Sequence, residues 1–130
     1  MKKILILTLG LFVFGFAPAN AEGVYELRTY LTNDGKLDDL HARFKNHTIR
    51  LFERHGIENI GYWEPVDTPN TLIYIIKHKS MAAAEKSWAD FLNDPEWKVA
   101  AEESNKNGQI LAKRPDSVFM TETAYSMLEK

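Results

Sequence analysis

Glu26 and Arg28 are the residues of this sequence whose types and spacing first suggest chemistry. They stand two positions apart in VYELRTY, residues 24–30, where the alternation predicts a β-strand over 24–31. Residues two apart on a strand share a face, so the carboxylate and the guanidinium should lie side by side. They form either a structural ion pair or a charged pair that orients a polar ligand.

Three of the four histidines fall on a predicted helix over 36–55, which Gly56 ends. At 100° per residue, His41 and His55 lie about 40° apart on the apolar stripe, and His47 lies at its edge, so all three could face the sheet. A shared metal site along the helix is excluded, because His41 and His55 are about 21 Å apart at the helical rise. We predict no metal site.

Aromatic residues form a large set for a chain of this size. Trp88, Phe91 and Leu92 have the spacing of a buried helical stripe, which indicates core packing. For Trp63 and Tyr74, both core packing and stacking against a ligand remain open.

Composition excludes several classes of protein. The 130-residue chain has no cysteine, which rules out thiol nucleophiles and thiolate metal sites. Its serines lack the sequence context of a catalytic triad, and no glycine-rich loop is present to bind phosphate. Residues 1–21 contain two of the 16 basic residues, Lys2 and Lys3, and none of the 18 acidic ones. The formal charge is therefore −2 for the whole chain and −4 for residues 22–130. A nucleic-acid partner is therefore not expected.

Residues 1–21 have the pattern of a secretory signal peptide. Two lysines precede an apolar run over 4–16, and Ala19 and Ala21 fit the small-residue rule for cleavage after Ala21. We therefore expect a periplasmic or secreted protein, with one mature domain over 22–130 and no membrane anchor after cleavage. The apolar run has 13 residues, fewer than the ~20 that span a bilayer.

The remaining elements predict a single α+β domain. Strands are expected over 57–64, 71–77 and 118–123, with one helix capped by Ser80 and another starting at Asp94-Pro95. The order βαββααβ is that of the ferredoxin-like fold, with a four-stranded antiparallel sheet and helices on one face. We expect Glu26, Arg28 and Tyr74 on the other face, where their mixture of charged and aromatic groups suggests a partner.

Several segments in this order resemble the NIPSNAP family over about residues 24–125. They are VYELRTY, HARFKNHTIRLFERHGIENIGYWEP, NTLIYII, SWADFLNDPEWK and TETAYS. The resemblance implies a homodimeric α/β barrel in which two sheets enclose a shared lumen. The same architecture occurs in cofactor-free monooxygenases and haem-degrading enzymes, so the fold does not choose a function.

Within that frame the candidate ligand-binding residues are Glu26, Arg28, His47, Trp63 and Tyr74. His47 is the best catalytic candidate, since it lies in the matched segment and would face the space between helix and sheet; the alternative is a hydrogen-bonded boundary residue. We expect Glu26 and Arg28 to face inward across the dimer. The sequence favours a module that binds a small hydrophobic or aromatic molecule or a protein, without a cofactor. The alternative is a small monooxygenase-like or haem-handling enzyme with its pocket near His47.

Overall fold

The computed structural model describes residues 23–128, in which four strands and four α-helices follow the predicted order. A π-helical turn, Phe44–Thr48, joins the first two helices into one rod. The elements are β1 (Val24–Leu31), α1 (Leu37–Arg43), α2 (Ile49–Arg54), β2 (Glu58–Trp63), β3 (Thr71–His78), α3 (Met81–Asn93), α4 (Pro95–Ser104) and β4 (Asp116–Met120). The predicted signal peptide lies outside the described residues and stays a prediction.

The sheet has the strand order β2-β3-β1-β4, and every neighbouring pair is antiparallel. This confirms the ferredoxin-like α+β prediction. Because β1 is central, its residues 25–29 have partners on both sides: Arg28 lies opposite Tyr74 of β3 and Ser117 of β4. The register therefore brings β1, β3 and β4 side chains together on each face of the sheet.

Local signals in the sequence explain where the helices begin and end. The Ser80 hydroxyl accepts a hydrogen bond from the Ala83 N–H at 3.0 Å, and the Asp94 carboxylate accepts one from the Glu96 N–H at 2.9 Å. Both are the predicted N-caps. Gly56 ends the first helical rod with φ +77°, a left-handed conformation that glycine adopts without steric cost.

The core lies between the helices and one face of the sheet. Tyr74 is fully buried at its centre, and Phe44 and Phe52 pack on it with ring centroids 5.2 and 6.1 Å away. Phe91 and Trp88 extend the cluster from α3. Such edge-to-face aromatic contacts fix the position of the helices on the sheet.

The π turn changes the phase of the first helical rod. The Ile49 N–H donates to the Phe44 carbonyl, five residues back, and the Thr48 hydroxyl donates to the Arg43 carbonyl at 3.4 Å. A π turn holds one more residue than an α turn. The side chains after it therefore point in directions that differ from those of a continuous α-helix. π turns of this kind are frequent at functional sites.

The other face of the sheet, here called the outer face, carries an apolar strip. Ile75, Leu27 and Val118 lie opposite one another on β3, β1 and β4, and Ile73 extends the strip along β3. The segment 121–128 runs along this face, and the Tyr25 hydroxyl donates to the Glu122 carboxylate at 2.6 Å. Between the segment and the sheet is a groove of about 670 Å³.

The start of the described chain is packed tightly against β3. Gly23 is buried, and a Cβ atom at this position would come within 2.2 Å of the His78 carbonyl oxygen. Only glycine fits that contact. No helix within residues 23–128 is long and apolar enough to cross a membrane.

Candidate functional site

Glu26 is the centre of a buried polar network that four elements build. Its carboxylate is 1% exposed and accepts four hydrogen bonds, two on each oxygen. The donors are His78 Nε2 (2.9 Å) and Trp88 Nε1 (2.7 Å) on Oε1, with Ser117 Oγ (2.7 Å) and Arg28 Nη1 (2.9 Å) on Oε2. Since a carboxylate only accepts, His78 Nε2 carries its proton here.

These donors fix the charge of Glu26. Burial by itself raises the pKa of the carboxyl group, but the hydrogen bonds from His78, Trp88 and Ser117 and the charge of Arg28 lower it to about 2. Glu26 is therefore ionised at neutral pH with all its donors in place. Such a carboxylate is poorly suited to proton transfer near pH 7, where a general base needs a pKa close to the working pH.

Arg28 connects this carboxylate to a pair of tyrosines. Its Nε donates to the Tyr74 hydroxyl at 3.2 Å and its Nη2 to the Tyr30 hydroxyl at 3.3 Å, while Tyr74 donates to Tyr30 at 3.0 Å. The guanidinium also lies over the Trp88 ring, 4.5 Å from its centroid. The ion pair with Glu26 is thus part of a network that joins β1, β3 and α3.

The expectation that Glu26, Arg28 and Tyr74 face away from the helices is wrong, and so is the expectation that Glu26 and Arg28 face inward across a dimer. Glu26 and Arg28 lie under Trp88 of α3, and Tyr74 packs against Phe44 and Phe52, all on the helix-covered face. The physical reason is that Trp88, His78 and Ser117 supply donors from distant parts of the chain. With those donors, a buried charged pair no longer needs solvent or a second subunit.

The five predicted ligand-binding residues do not form one site. Glu26, Arg28 and Tyr74 share the buried network. Trp63 is 52% exposed at the edge strand β2. His47 lines a polar groove between the first helical rod and α4, so its predicted position between helix and sheet is wrong. None of these findings tests ligand binding itself.

A separate cavity, here called the helix–strand pocket, lies between the first helical rod and the sheet edge. It has a volume of about 410 Å³ and mainly apolar walls. Its lining residues are His41, Ala42, Phe44, Lys45, Ile49, Tyr62, Trp63, Glu64 and Leu72. His41 Nε2 forms a hydrogen bond with the Glu64 carboxylate, which places a histidine–carboxylate pair beside aromatic walls.

The third histidine of the rod has a structural role. His55 Nε2 lies 2.7 Å from the Asp94 carboxylate, which also accepts from Arg54 and from the Glu96 N–H. Within residues 23–128, no group of three histidine, aspartate or glutamate side chains is placed to hold a metal ion.

Comparison with the profiles of known protein families gives one match to this chain. The NIPSNAP family profile matches residues 25–127, which is nearly all of the described structure. This chain belongs to the NIPSNAP family. No curated protein matches its sequence.

Solved structures show that this NIPSNAP chain shares its fold with several proteins from bacteria. A NIPSNAP family protein of unknown function from Agrobacterium tumefaciens is 21% identical, with a TM-score of 0.71 over 85% of this chain and 96% of that one. A NIPSNAP-like domain protein from Burkholderia xenovorans is 17% identical, with a TM-score of 0.69 over 80% and 88%. A protein from Bordetella bronchiseptica described as "Putative antibiotic biosynthesis monooxygenase" is 14% identical, with a TM-score of 0.62 over 78% and 97%. At these identities the likeness concerns the fold alone.

Sequence reasoning on this NIPSNAP chain missed the donors that surround Glu26. The sequence pattern predicts core packing for Trp88 and gives no indication that Ser117 or His78 donates to this carboxylate. One signal was present for His78: it follows Tyr74 and Ile76 at two-residue spacing, so it shares their face of β3. The spacing does not show which face the helices cover.

Proposed function

We propose that this NIPSNAP protein is exported, forms a homodimer and binds a small aromatic or hydrophobic molecule in the helix–strand pocket. The observation that carries the proposal is the pocket itself. Its volume of about 410 Å³ lies within the range of small-molecule sites, and such sites combine apolar walls with a few polar groups.

The walls of the pocket indicate the chemistry of its ligand. Phe44 and Tyr62 pack edge to face, with centroids 5.5 Å apart, and Trp63 is exposed at the rim. Planar aromatic ligands stack well on such side chains. The His41–Glu64 pair adds one polar position, which suits a ligand with a single hydroxyl group on an aromatic ring.

Blocking the pocket is expected to abolish binding of an aromatic alcohol. Ile49→Trp adds an indole to the pocket wall, so the affinity for 2-naphthol, measured by titration calorimetry, should fall by at least about tenfold. Val99→Trp is the matched control, because Val99 is 61% exposed on α4, away from the pocket. If Ile49→Trp lowers the Tm, the exposed pocket residue Lys45 is replaced by tryptophan instead. Wild-type affinity in a folded blocking variant would contradict the proposal.

The outer face supports the homodimer. An apolar strip that is not fully covered favours association of the sheet, and the strip here runs across three strands, with Val118 exposed and its other members half-buried. Ile73 lies at its β3 end, opposite Thr29 on β1 and Trp63 on β2. Two copies packed by this face would bury their apolar strips against each other.

Charge on the outer face is expected to separate the dimer. Native mass spectrometry of wild-type protein from the periplasm should give the mass of two chains that each begin at Glu22. Ile73→Lys should give one chain, because a lysine in that interface would be buried without a partner. Val99→Lys, on the helix side, should remain dimeric. A monomeric wild type would exclude the homodimer, and retained residues 1–21 would exclude cleavage after Ala21.

A second candidate function is cofactor-free oxygenation of an aromatic substrate, favoured by the His41–Glu64 pair. The carboxylate would orient the imidazole, whose other nitrogen would accept a proton from a phenolic hydroxyl. The groove beside His47 is a less suitable site for this oxygenation, because its volume is only about 260 Å³ and its walls are polar. Oxygen consumption with a naphthoquinol separates the two functions, since an enzyme would consume oxygen and lose activity in His41→Ala.

A further inference from the structure

Arg43 is a buried cation without a carboxylate partner among the described residues. It is 6% exposed, and its Nη1 donates to the Ser104 hydroxyl at 3.2 Å while its guanidinium lies 5.2 Å from the Trp97 ring centroid. Its Nε is buried and has no hydrogen-bond partner within residues 23–128. Burial lowers the pKa of Arg43, and the nearby Tyr30 and Tyr74 hydroxyls offset this only in part. A buried guanidinium with an unused donor is costly unless an anion accepts from it.

His47, which lines the same groove as Arg43, also has a nitrogen without a partner. Its Nδ1 is buried without a hydrogen-bond partner in the described part of the chain. Arg43 and His47 stand four positions apart across the start of the π turn, and both line the groove of about 260 Å³ between the first helical rod and α4. Asn46 and Ser104 add further polar groups to its wall.

We propose that this groove binds a small monocarboxylate between Arg43 and His47. The planar carboxylate matches the guanidinium edge that carries Nε, and it would accept two parallel hydrogen bonds there once a rotation of the Arg43 side chain opens this edge, which is closed to solvent in the structure, to the groove. A protonated His47 Nδ1 would donate the third. The proposal goes beyond the helix–strand pocket and is independent of it, since the two sets of lining residues share only Ala42.

Acidic residues at the rim narrow the class of ligand. Asp39 and Glu103 line the same groove and are exposed. Their charge disfavours phosphate and dicarboxylates by like-charge repulsion, and it favours a carboxylate that also carries an amine. Glycine is therefore expected to bind more tightly than acetate, and acetate more tightly than phosphate.

The test observes the Arg43 side chain directly in wild-type protein. Uniformly ¹⁵N-labelled protein is titrated with sodium acetate, glycine or sodium phosphate at constant ionic strength, with sodium chloride as the reference. The Arg43 Nε–H resonance is expected to shift saturably with acetate and glycine, together with the amides of 43–47. A chloride-like response to both carboxylates, or tighter binding of phosphate, would overturn the proposal.

Two variants test the assignment of the donors. Arg43→Lys removes the planar fork, so acetate affinity should fall by about tenfold, and His47→Phe should weaken it by a similar factor. Arg114→Lys, at an exposed position outside the groove, is the matched control and should bind like wild type. Unchanged affinity in folded Arg43→Lys protein would place the acetate elsewhere.

Discussion

Replacing Glu26 with alanine is expected to lower the free energy of unfolding by about 3–5 kcal/mol. The substitution leaves the largely buried Arg28 guanidinium without its carboxylate and removes the acceptor of His78, Trp88 and Ser117. Each unsatisfied donor adds to the cost of the lost ion pair. Urea unfolding followed by circular dichroism measures the effect.

Two comparisons separate this effect from the general cost of placing an alanine in the sheet. Glu58→Ala, at an exposed position of β2, should change the free energy of unfolding by less than about 0.5 kcal/mol. The double variant Glu26→Ala with Arg28→Met should be less destabilised than the sum of the two single variants, because the uncompensated charge is gone. Equal effects of Glu26→Ala and Glu58→Ala would contradict a stabilising network.

Acidification is expected to remove the stabilisation that the Glu26 charge provides. The network lowers the pKa of Glu26 from 4.5 to about 2 in the folded protein. A depressed carboxyl pKa gives stability that is fully present above the unfolded value and is lost as pH falls through the folded one. The free energy of unfolding should therefore fall by about 3 kcal/mol between pH 4.5 and 2 from this residue alone.

Glu26→Gln isolates this contribution, because glutamine has nearly the same shape and does not titrate. Its free energy of unfolding should depend less steeply on pH below 4.5 than that of wild type. Some dependence must remain: a hydrogen bond from His55 lowers the pKa of Asp94 to about 2, and one from Arg50 lowers that of Glu96 to about 2. Urea titrations at several pH values measure the slopes. Identical slopes in the two proteins would show that Glu26 does not titrate in this range.

The order of elements and most of their boundaries follow from the sequence. Strand β1 has its predicted bounds, and the caps at Ser80 and Asp94 are confirmed, because alternation, capping and turn residues act over a few positions. Strand β4 is the exception. It begins two residues before the predicted 118 and ends at Met120, since the chain beyond it turns along the outer face toward the Tyr25–Glu122 contact.

The orientation of the sheet could not be predicted in the same way. Both faces of β1 carry aromatic or apolar residues, so alternation alone does not identify the buried one. The deciding contacts come from residues 52 to 91 positions away in sequence, on β3, α3 and β4. The strand register brings His78 and Ser117 to Glu26, and the packing of α3 on the sheet brings Trp88. Local sequence patterns specify neither arrangement.

The predicted position of His47 is wrong because of the local helix geometry. The predicted angles assume α-helical spacing throughout residues 36–55, but the π turn over 44–48 includes His47. Its extra residue shifts the angular position of the side chains that follow. His47 consequently lies in the groove shared with α4, whereas His41, before the turn, lies at the helix–strand pocket.

The tight packing of Gly23 has a consequence for the order of events during export. If the leader is removed after Ala21, Glu22 is the only residue left before Gly23. The next residue, Val24, is already paired with His78 of β3. A protease needs exposed, extended chain on both sides of the bond that it cuts. Under the proposed export and cleavage after Ala21, removal of the leader would precede the insertion of β1 between β3 and β4, so the peptidase would act before the sheet is complete.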